Sequence, residues 1–500
     1  MELDQDICLR AVAARDARFD GRIFVAVRTT GIYCRPICPA RTPKRENVTF
    51  YPSAAAAQAA GYRPCLRCRP ECSPEIGAWR GTSNSVSRAL ALINDGGLDD
   101  AAVDHLAERL GIGERQLRRL FQQHLGASPI AVAQTKRVLF AKQLIAETTM
   151  PLAQVALAAG FGSVRRFNAI FQALFDRPPR DLRRPRSEKP TYGEAGITLR
   201  LSYQAPYDWA AISRFLAARA IPGVELVNDR GHYRRSIAIA HHHGAICVAP
   251  DPHGNRLAVN IRIADIATLA IIVGRVRHLF DLGADPALIG AHLSQDAILR
   301  PLVAARPGLR VPGAWDGFEL AVRGMLGQQI TVGAATKLAG KLVAAHGTPL
   351  QGNDDTGLTH VFPSAAIVAA ADLRALGMPG ARARAISAIA AAAAADPRLF
   401  AMGQENDAAM TRLRPLPGVG DWTAQYIAMR ALREPDAFLP TDIGLLRAMK
   451  GSDGIRPAPA EILARAEAWR PWRAYAALHL WTNDANPTRI TQEHIDAFAA

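Results

Sequence analysis

Two sets of residues in this 500-residue chain have types and spacings that can do chemistry. Cys34 and Cys38 form one close pair and Cys65 and Cys68 another, with 26 residues between the pairs (39 to 64). Two such pairs make a four-thiolate zinc site by spacing alone, one ion per chain, and on spacing only a structural zinc ribbon is the first expectation. Cys72 lies close enough to compete as a ligand. The second set centres on Asp442, which follows Gly420 by 22 positions (442 − 420) in the nearly apolar run Phe438-Leu439-Pro440-Thr441-Asp442. Asp442 is suited to cap a helix starting at Ile443. A carboxylate in apolar surroundings is equally suited to stabilise developing positive charge or to orient and deprotonate water. The two roles are compatible, and both are expected.

Each set needs elements to position it. Leu413 and Leu416 close one apolar segment, Pro417-Gly418-Val419-Gly420 turns the chain, and Trp422 opens the next, which is the form of a helix-hairpin-helix. Gly418 and Gly420 allow a tight turn and close approach of the backbone, and N–H groups opening the second helix suit a phosphate. With Thr423 just beyond, the hairpin reads as a clamp on a DNA backbone. Trp422 and Tyr426 lie four residues apart on one face of that helix, and with Trp481 they offer electron-rich faces to a cation; core packing is the other reading of the three. Around the cysteines, Arg22–Val27 and Asn47–Phe50 are strand-like, and Ser53 caps an alanine-rich helix that stops at Gly61.

From Val86 to Arg186 the pattern is all helical and repeats itself. Leu106-Ala107, Gly111 and Arg115 to Phe121 match Val155-Ala156, Gly160 and Ser163 to Phe171, with Ala107 to Ala156 and Gly111 to Gly160 both 49 apart. A small residue for close packing and a turn glycine four positions on mark two helix-turn-helix units. Polar linkers are expected at Gly77–Asn84 and Arg183–Gly196. From Ile197 to Val259 strand-like and helical patches alternate, and from Leu302 onward the pattern is helical, the alanine tract at Ala388–Ala395 being a strong helix former. His241, His242 and His243 are consecutive and could not converge on one metal from a strand, so they read as a turn-flanking polar run.

The net charge of +15 is unevenly placed. Residues 1–190 hold 29 Lys+Arg against 18 Asp+Glu, a net of +11, which leaves 31 − 27 = +4 for the remainder. The front of the chain is the stronger polyanion-binding region. The first 20 residues mix Asp, Glu and Arg and carry no apolar signal core, and the run Ile266–Val273 is far too short to span a bilayer. Five of seven cysteines between Cys34 and Cys72 fit metal binding inside a reducing compartment. The expectation is a soluble, cytoplasmic protein with no membrane partner, and the length suggests three or four domains.

Several stretches resemble known families. The hairpin PGVGDWTAQYIAMRAL, the segment LPTDIGL, the run Trp469 to Ala476 and His479-Leu480-Trp481 are similar to the AlkA-type 3-methyladenine DNA glycosylase II branch of the helix-hairpin-helix glycosylases, over about residues 195–500. AVRTTGIYCRPICPAR, RENVTFY and AAGYRPCLRCRPE resemble the zinc domain of Ada-type DNA methylation sensors, and the helical repeat resembles the AraC-type regulator domain. The resemblances imply a multidomain, mainly α chain. Its parts would be a small α+β zinc domain (1–76), an all-α double helix-turn-helix domain (84–186), an α/β subdomain (195–301) and an all-α glycosylase domain (302–500).

They also imply roles. Cys34 would accept a methyl group from a methylated DNA phosphate while Cys34, Cys38, Cys65 and Cys68 hold zinc. Arg115, Gln116, Arg119, Arg165 and Arg166 would lie near the major groove. Gln329, in Leu326-Gly327-Gln328-Gln329-Ile330-Thr331, falls where family members insert an apolar wedge into the base stack. Asp442 would stabilise the sugar cation and Trp422, Tyr426 and Trp481 would line the base pocket. Trp422 stands where the bifunctional branch has a lysine, so no Schiff base and no strand cleavage are expected. No cofactor is needed for base excision. The only cysteine after Cys72 is Cys247, in Ala-Ile-Cys-Val-Ala, so O6-methylguanine repair is not expected. The partners implied are alkylated DNA, promoter DNA and RNA polymerase. Three rivals remain: a regulator whose glycosylase half only binds DNA, a repair enzyme whose front half only anchors it, and a bifunctional oxidised-base lyase.

Overall fold

The computed structural model describes residues 4–74, 84–94, 96–98, 102–183, 196–350, 357–401, 404, 406–451 and 454–484. The linkers expected at 77–84 and 183–196 fall almost wholly outside them. The chain divides into two compact units, one of Met1–Gln204, Ile239–Arg277 and Leu282–Ala284, the other of Ala205–Ala238, His278–Asp281 and Asp285–Ala500.

In the first unit a four-stranded sheet, ordered Val48–Tyr51, Phe24–Val27, Ile32–Cys34, Arg63–Pro64, carries the cysteines. The first three strands are antiparallel and the last pairs in parallel, Tyr33 opposite Pro64. That register places Cys34 and Cys65, each the next residue on, at the same level. Ser53 caps the helix Ala54–Ala59 through a bond from the Ala56 N–H, and the chain leaves it at Gly61, φ 89°. The apolar face of that helix buries Ala54 and Ala57 against Phe24, Ala26 and Tyr33.

The two expected helix-turn-helix units are present in the same unit. Val103–Arg109 leads through Gly111 (φ 71°) into Glu114–Leu125, and Leu152–Ala158 leads through Gly160 (φ 75°) into Val164–Phe175. Both turn glycines adopt the left-handed conformation that a side chain disfavours. The second helix of each pair buries a stripe at every fourth position, Leu117, Phe121 and Leu125 in one and Phe167, Phe171 and Phe175 in the other. The helix Pro129–Glu147 connects them. Strand Ile197–Ser202 pairs antiparallel with Arg256–Ile263, which pairs with His242–Pro250. The histidine run falls where expected, with His241 in the turn after Ala240 and the next two opening a strand.

The second unit pairs strands Glu225–Val227 and Tyr233–Ile239 and is otherwise helical apart from a two-residue pairing, Thr348–Pro349 with His360–Val361. Helix Gly317–Leu326 packs against Gly380–Ala395 and Asp421–Ile427, and Ile443–Ala448 packs against Arg473–Asp484. Trp422, Asp442 and Trp481 come together between these helices, each indole hydrogen-bonded to the carboxylate. Where Asp421–Ile427 ends, the chain continues in a π-helical turn, Ala428–Leu432, a widening that often marks functional sites.

Candidate active sites and nucleic-acid interface

The four sulfurs of Cys34, Cys38, Cys65 and Cys68 all lie within 4.8 Å of one another. Tetrahedral zinc with Zn–S bonds of about 2.3 Å needs sulfurs about 3.8 Å apart, so the set fits the ion. Backbone N–H groups point at the sulfurs as they do at thiolates: Arg35 N donates to Cys68 at 3.3 Å, and Arg67 N and Cys68 N donate to Cys65 at 3.3 and 3.5 Å. Cys65 and Cys68 are buried, and Cys34 and Cys38 are half-buried. Cys72 stays out of the cluster; it is buried in the turn Pro70–Cys72, and burial pushes its thiol up to about 11.

A buried ion network adjoins this cluster. Lys142 bonds Glu71 and, at 3.3 Å, the Cys65 carbonyl; Arg69 bridges Glu71 (3.0 Å) and Glu147 (2.9 Å). Glu147 also accepts the Arg200 backbone N–H at 2.9 Å, while Gln143 donates to the Arg200 carbonyl at 3.0 Å. Lys142, Gln143 and Glu147 are all on the helix between the helix-turn-helix units, and none of them was singled out in the sequence.

On the second helix of each helix-turn-helix unit, Arg115, Gln116, Arg119, Arg165 and Arg166 are all exposed. Arg119 donates to the Gln116 side chain at 2.8 Å, so those two present a joined polar face.

The second site is built around Asp442. It caps Ile443–Ala448 as expected, Oδ1 accepting the Leu445 N–H at 3.1 Å. Both indoles are also turned to it: Trp422 Nε1 donates to Oδ2 at 2.9 Å and Trp481 Nε1 to Oδ1 at 2.8 Å. The tryptophans therefore orient the carboxylate as well as offering ring faces. Gly444 makes this closure fit, since a Cβ there would lie 2.9 Å from Trp481 Cδ1 and 3.0 Å from Asp442 Oδ1. Trp422 stacks on Tyr426, centroids 5.1 Å apart and rings 10° from parallel. That spacing leaves no room for a base between them, so the pair is one platform.

Tyr426 is fixed from behind. Arg430 donates to Tyr426 Oη at 2.6 Å through Nη1, and its Nε and Nη2 donate to the Pro312 and Gly313 carbonyls at 2.8 and 2.9 Å. Arg219 lies 3.8 Å from the centroid of Phe215, and Arg430 lies 4.9 Å from the same ring. Burial alone would raise the Tyr426 phenol, but the Arg430 and Arg219 charges outweigh it and hold the phenol below its ordinary range. Phe215, Arg219 and Arg430 were not legible as site residues one by one. Trp422, Tyr426 and Arg430 do share the i, i+4, i+8 spacing of one helix face, which could have pointed to the last.

At the hairpin, Gly418 has φ 77°, and a Cβ there would sit 2.7 Å from Ala385 Cβ, so only glycine fits. Gly420 opens the second helix with nothing within 4 Å of a would-be Cβ, which leaves its backbone open to a ligand. Thr423 differs from the expectation of a DNA-facing residue: it is 2 % exposed and its hydroxyl accepts from Gln328 Nε2 at 2.9 Å, so it buttresses the hairpin from inside. Gln328 also donates to the Gly418 carbonyl at 2.8 Å, and Arg382 donates to the Gln328 carbonyl at 2.6 Å. Next to this anchor Gln329 is exposed with φ 58°, a conformation uncommon for a residue with a side chain.

The cysteine cluster is the only group of metal-ligating side chains of this kind among the described residues, and no helix there is long and apolar enough to cross a membrane. Four family models match the chain: the metal binding domain of Ada over 7–71, a helix-turn-helix domain over 106–185, the AlkA N-terminal domain over 198–316, and the HhH-GPD superfamily of base excision DNA repair proteins over 322–474. A probable bifunctional transcriptional activator/DNA repair enzyme AlkA of Mycobacterium tuberculosis (strain CDC 1551 / Oshkosh) is 43% identical over 491 residues, 97% of this chain and 98% of that one. The DNA-3-methyladenine glycosylase 2 of Escherichia coli (strain K12) is 38% identical over 284 residues, 56% of this chain and 95% of its own. The solved 3-methyladenine DNA glycosylase of Archaeoglobus fulgidus shares the fold over 58% of this chain and 99% of its own, with a TM-score of 0.51 at 21% identity. With an Ada-type metal-binding domain, helix-turn-helix units and an AlkA-type helix-hairpin-helix glycosylase fold in one chain, this protein belongs to the family of bifunctional transcriptional activator/DNA repair enzymes of the AlkA type.

Proposed function

We propose that the protein both senses and repairs DNA alkylation. Its second unit is a monofunctional glycosylase that hydrolyses the N-glycosidic bond of alkylated purines such as 3-methyladenine. Its first unit takes a methyl group from a methylphosphotriester and then activates transcription of repair genes, with promoter DNA and RNA polymerase as partners. The cytoplasm, at the nucleoid, is where such a chain would act.

The observation that carries the glycosylase reading is the grip on Asp442, whose two oxygens receive three N–H donors. A carboxylate so fixed is preorganised for charge that develops elsewhere, here the positive sugar left as the base departs. Flipping the base out of the duplex costs a few kcal/mol, which stacking on the Trp422–Tyr426 platform and a Gln329 side chain filling the gap would offset. Gly418 and Gly420 would bring the hairpin backbone to a phosphate. Tryptophan at 422 in place of an amine supports hydrolysis without a lyase step.

For the sensor, the cluster fits zinc, which when bound would keep the sulfurs deprotonated and nucleophilic. Cys34 Sγ would attack the methyl carbon, forming the C–S bond as the C–O bond breaks and leaving a phosphodiester anion. The half-buried position of Cys34 supports its reach to DNA better than that of buried Cys65 or Cys68. Methylation removes one negative charge from a cluster that otherwise repels phosphates. Affinity for DNA should rise, and the exposed arginines 115, 119, 165 and 166 would read the promoter.

The test follows two signals on methylated duplex DNA, free 3-methyladenine and labelled methyl on the protein. Asp442→Asn should cut base release by about a hundredfold or more and keep methyl uptake, and Cys34→Ala should do the reverse. Methyl uptake without base release in the wild type would make the second unit a DNA-binding module only.

A further inference from the structure

Breaking an N-glycosidic bond moves an electron pair in one direction. The C1′–N bond cleaves heterolytically, both electrons go to the base, and the sugar becomes a cation that a water oxygen then attacks, giving up its proton. The base loses one unit of positive charge whatever it began with: an N-alkylated cation leaves neutral, and an uncharged base leaves as an anion that takes up a proton. A site assists this flow with negative charge at the sugar and positive charge behind the base.

Asp442 supplies the first. We propose that Arg219, together with Arg430, supplies the second, as a positive wall behind the base platform that favours electron flow into the departing base. This rests on the glycosylase reading above and assigns to it residues that the reading does not use.

The charges around the platform decide the point. Four ionised groups of the same unit cancel: Arg235 pairs with Glu225 and Glu319, and Arg323 pairs with both as well. Arg219 and Arg430 are left over. Arg430 meets two backbone carbonyls and the Tyr426 oxygen, and Arg219 meets the Phe215 carbonyl and ring. Neither has a carboxylate partner among the described residues. Buried charges are ordinarily paired, so a buried Arg430 beside a half-buried Arg219, neither with a carboxylate, is costly and calls for a use. Their location gives one. Both lie against Phe215, Arg430 holds Tyr426, Tyr426 stacks on Trp422, and Trp422 donates to Asp442. The negative and positive ends are thus joined through one aromatic stack. Arg430 is a positioning residue that acts through Tyr426. Arg219 is half-buried, as are Phe215 and Tyr426, and it is the group that can be changed without opening the core.

The wall distinguishes two classes of base. For a cationic base it raises the energy of the bound state and relaxes as the charge leaves, so it speeds cleavage and weakens binding. For an uncharged base it leaves binding nearly untouched and stabilises the departing anion.

The experiment compares wild type, Arg219→Met and Arg219→Lys under single-turnover conditions on duplexes carrying 7-methylguanine or hypoxanthine. Arg219→Met should lower the cleavage rate about tenfold on both. Half-saturation on 7-methylguanine should fall several-fold while that on hypoxanthine holds, and Arg219→Lys should recover most of the rate. A merely structural role would weaken binding of both bases alike and leave lysine as poor as methionine; that result, or an unchanged rate in Arg219→Met, overturns the proposal alone. Wild-type protein that releases neither base overturns this inference, and one that releases no 3-methyladenine either overturns the glycosylase reading as well.

Discussion

The two sites treat buried charge in opposite ways. Beside the cysteine cluster, two cations face two carboxylates: Lys142 and Arg69 against Glu71 and Glu147, with every partner identified. Behind the Trp422–Tyr426 stack, Arg219 and Arg430 face backbone carbonyls, the Phe215 ring and a tyrosine, with no carboxylate partner among the described residues. A balanced network has no net field to lend to a reaction, so its use is to fasten. An unbalanced pair is a poor fastener, and its field acts on whatever is bound nearby. On the proposed reading the sensor would draw its reactivity from the four sulfurs alone, and its ion pairs hold the cluster to the helix Pro129–Glu147. The proposed glycosylase site would instead spread its chemistry over a carboxylate, an aromatic stack and two unpaired cations.

The largest effect should come from breaking the fastener. Lys142→Met leaves Glu71 buried with one partner gone, and removing one member of a buried pair costs about 3–5 kcal/mol. Adding Glu71→Gln should recover part of that loss, because the orphaned charge goes with it. Zinc release to a chromophoric chelator across a urea titration reads this directly. The single variant should release at clearly lower urea than the double. If both behave as wild type, the network does not hold the cluster, and the contrast between the sites collapses.

A smaller effect tests burial in the second unit. His479 is 6 % exposed, and burial, then the Arg306 charge, pushes its imidazole down to about 4 from the ordinary 6.5. A group depressed on folding contributes stability that is present above its unfolded value and is lost as pH falls toward its folded one. Between pH 7.5 and pH 5 the unfolded chain gains a proton there that the folded chain refuses, which amounts to about 2 kcal/mol. Six of the seven tryptophans, all but Trp79, belong to the second unit, so indole fluorescence in urea follows it. His479→Gln should flatten the wild-type loss over that range by about this amount; an equal loss in both would show that His479 does not stay neutral.

Much of this was legible in the sequence because it is local. A capping serine, turn glycines 49 residues apart, two cysteine pairs and an aspartate ahead of an apolar helix each declare themselves within a few positions. What was not legible depends on tertiary approach. Lys142 and Glu71 are 71 residues apart and read singly as a solvated lysine and glutamate. Phe215 and Arg219 sit more than 200 positions from Tyr426. Gly444 is ordinary until Trp481 packs over it. Thr423 was misplaced for the same reason: its position in the hairpin motif suggested DNA, and only the packing of Gln328 turns its hydroxyl inward.

That packing yields the smallest and most pointed prediction. Gln328 ties the loop bearing Gln329 to the hairpin through the Gly418 carbonyl and the Thr423 hydroxyl, and Arg382 holds its own carbonyl. Gln328→Ala removes two hydrogen bonds, and the buried Thr423 hydroxyl is left to find another partner. The net cost should be about 1–2 kcal/mol. No charge is lost and Asp442 is untouched, so the damage should fall on the fit between wedge and clamp. Affinity for an abasic-site duplex should drop about fivefold to tenfold while the single-turnover rate at saturation changes by less than about threefold. Arg219→Met predicts the inverse split on a cationic base, a lower rate with tighter binding. Measured side by side, the two variants separate positioning from field within one site: if Gln328→Ala lowers the saturated rate as strongly as Arg219→Met, the rate is set by geometry and the positive wall is not needed to explain it.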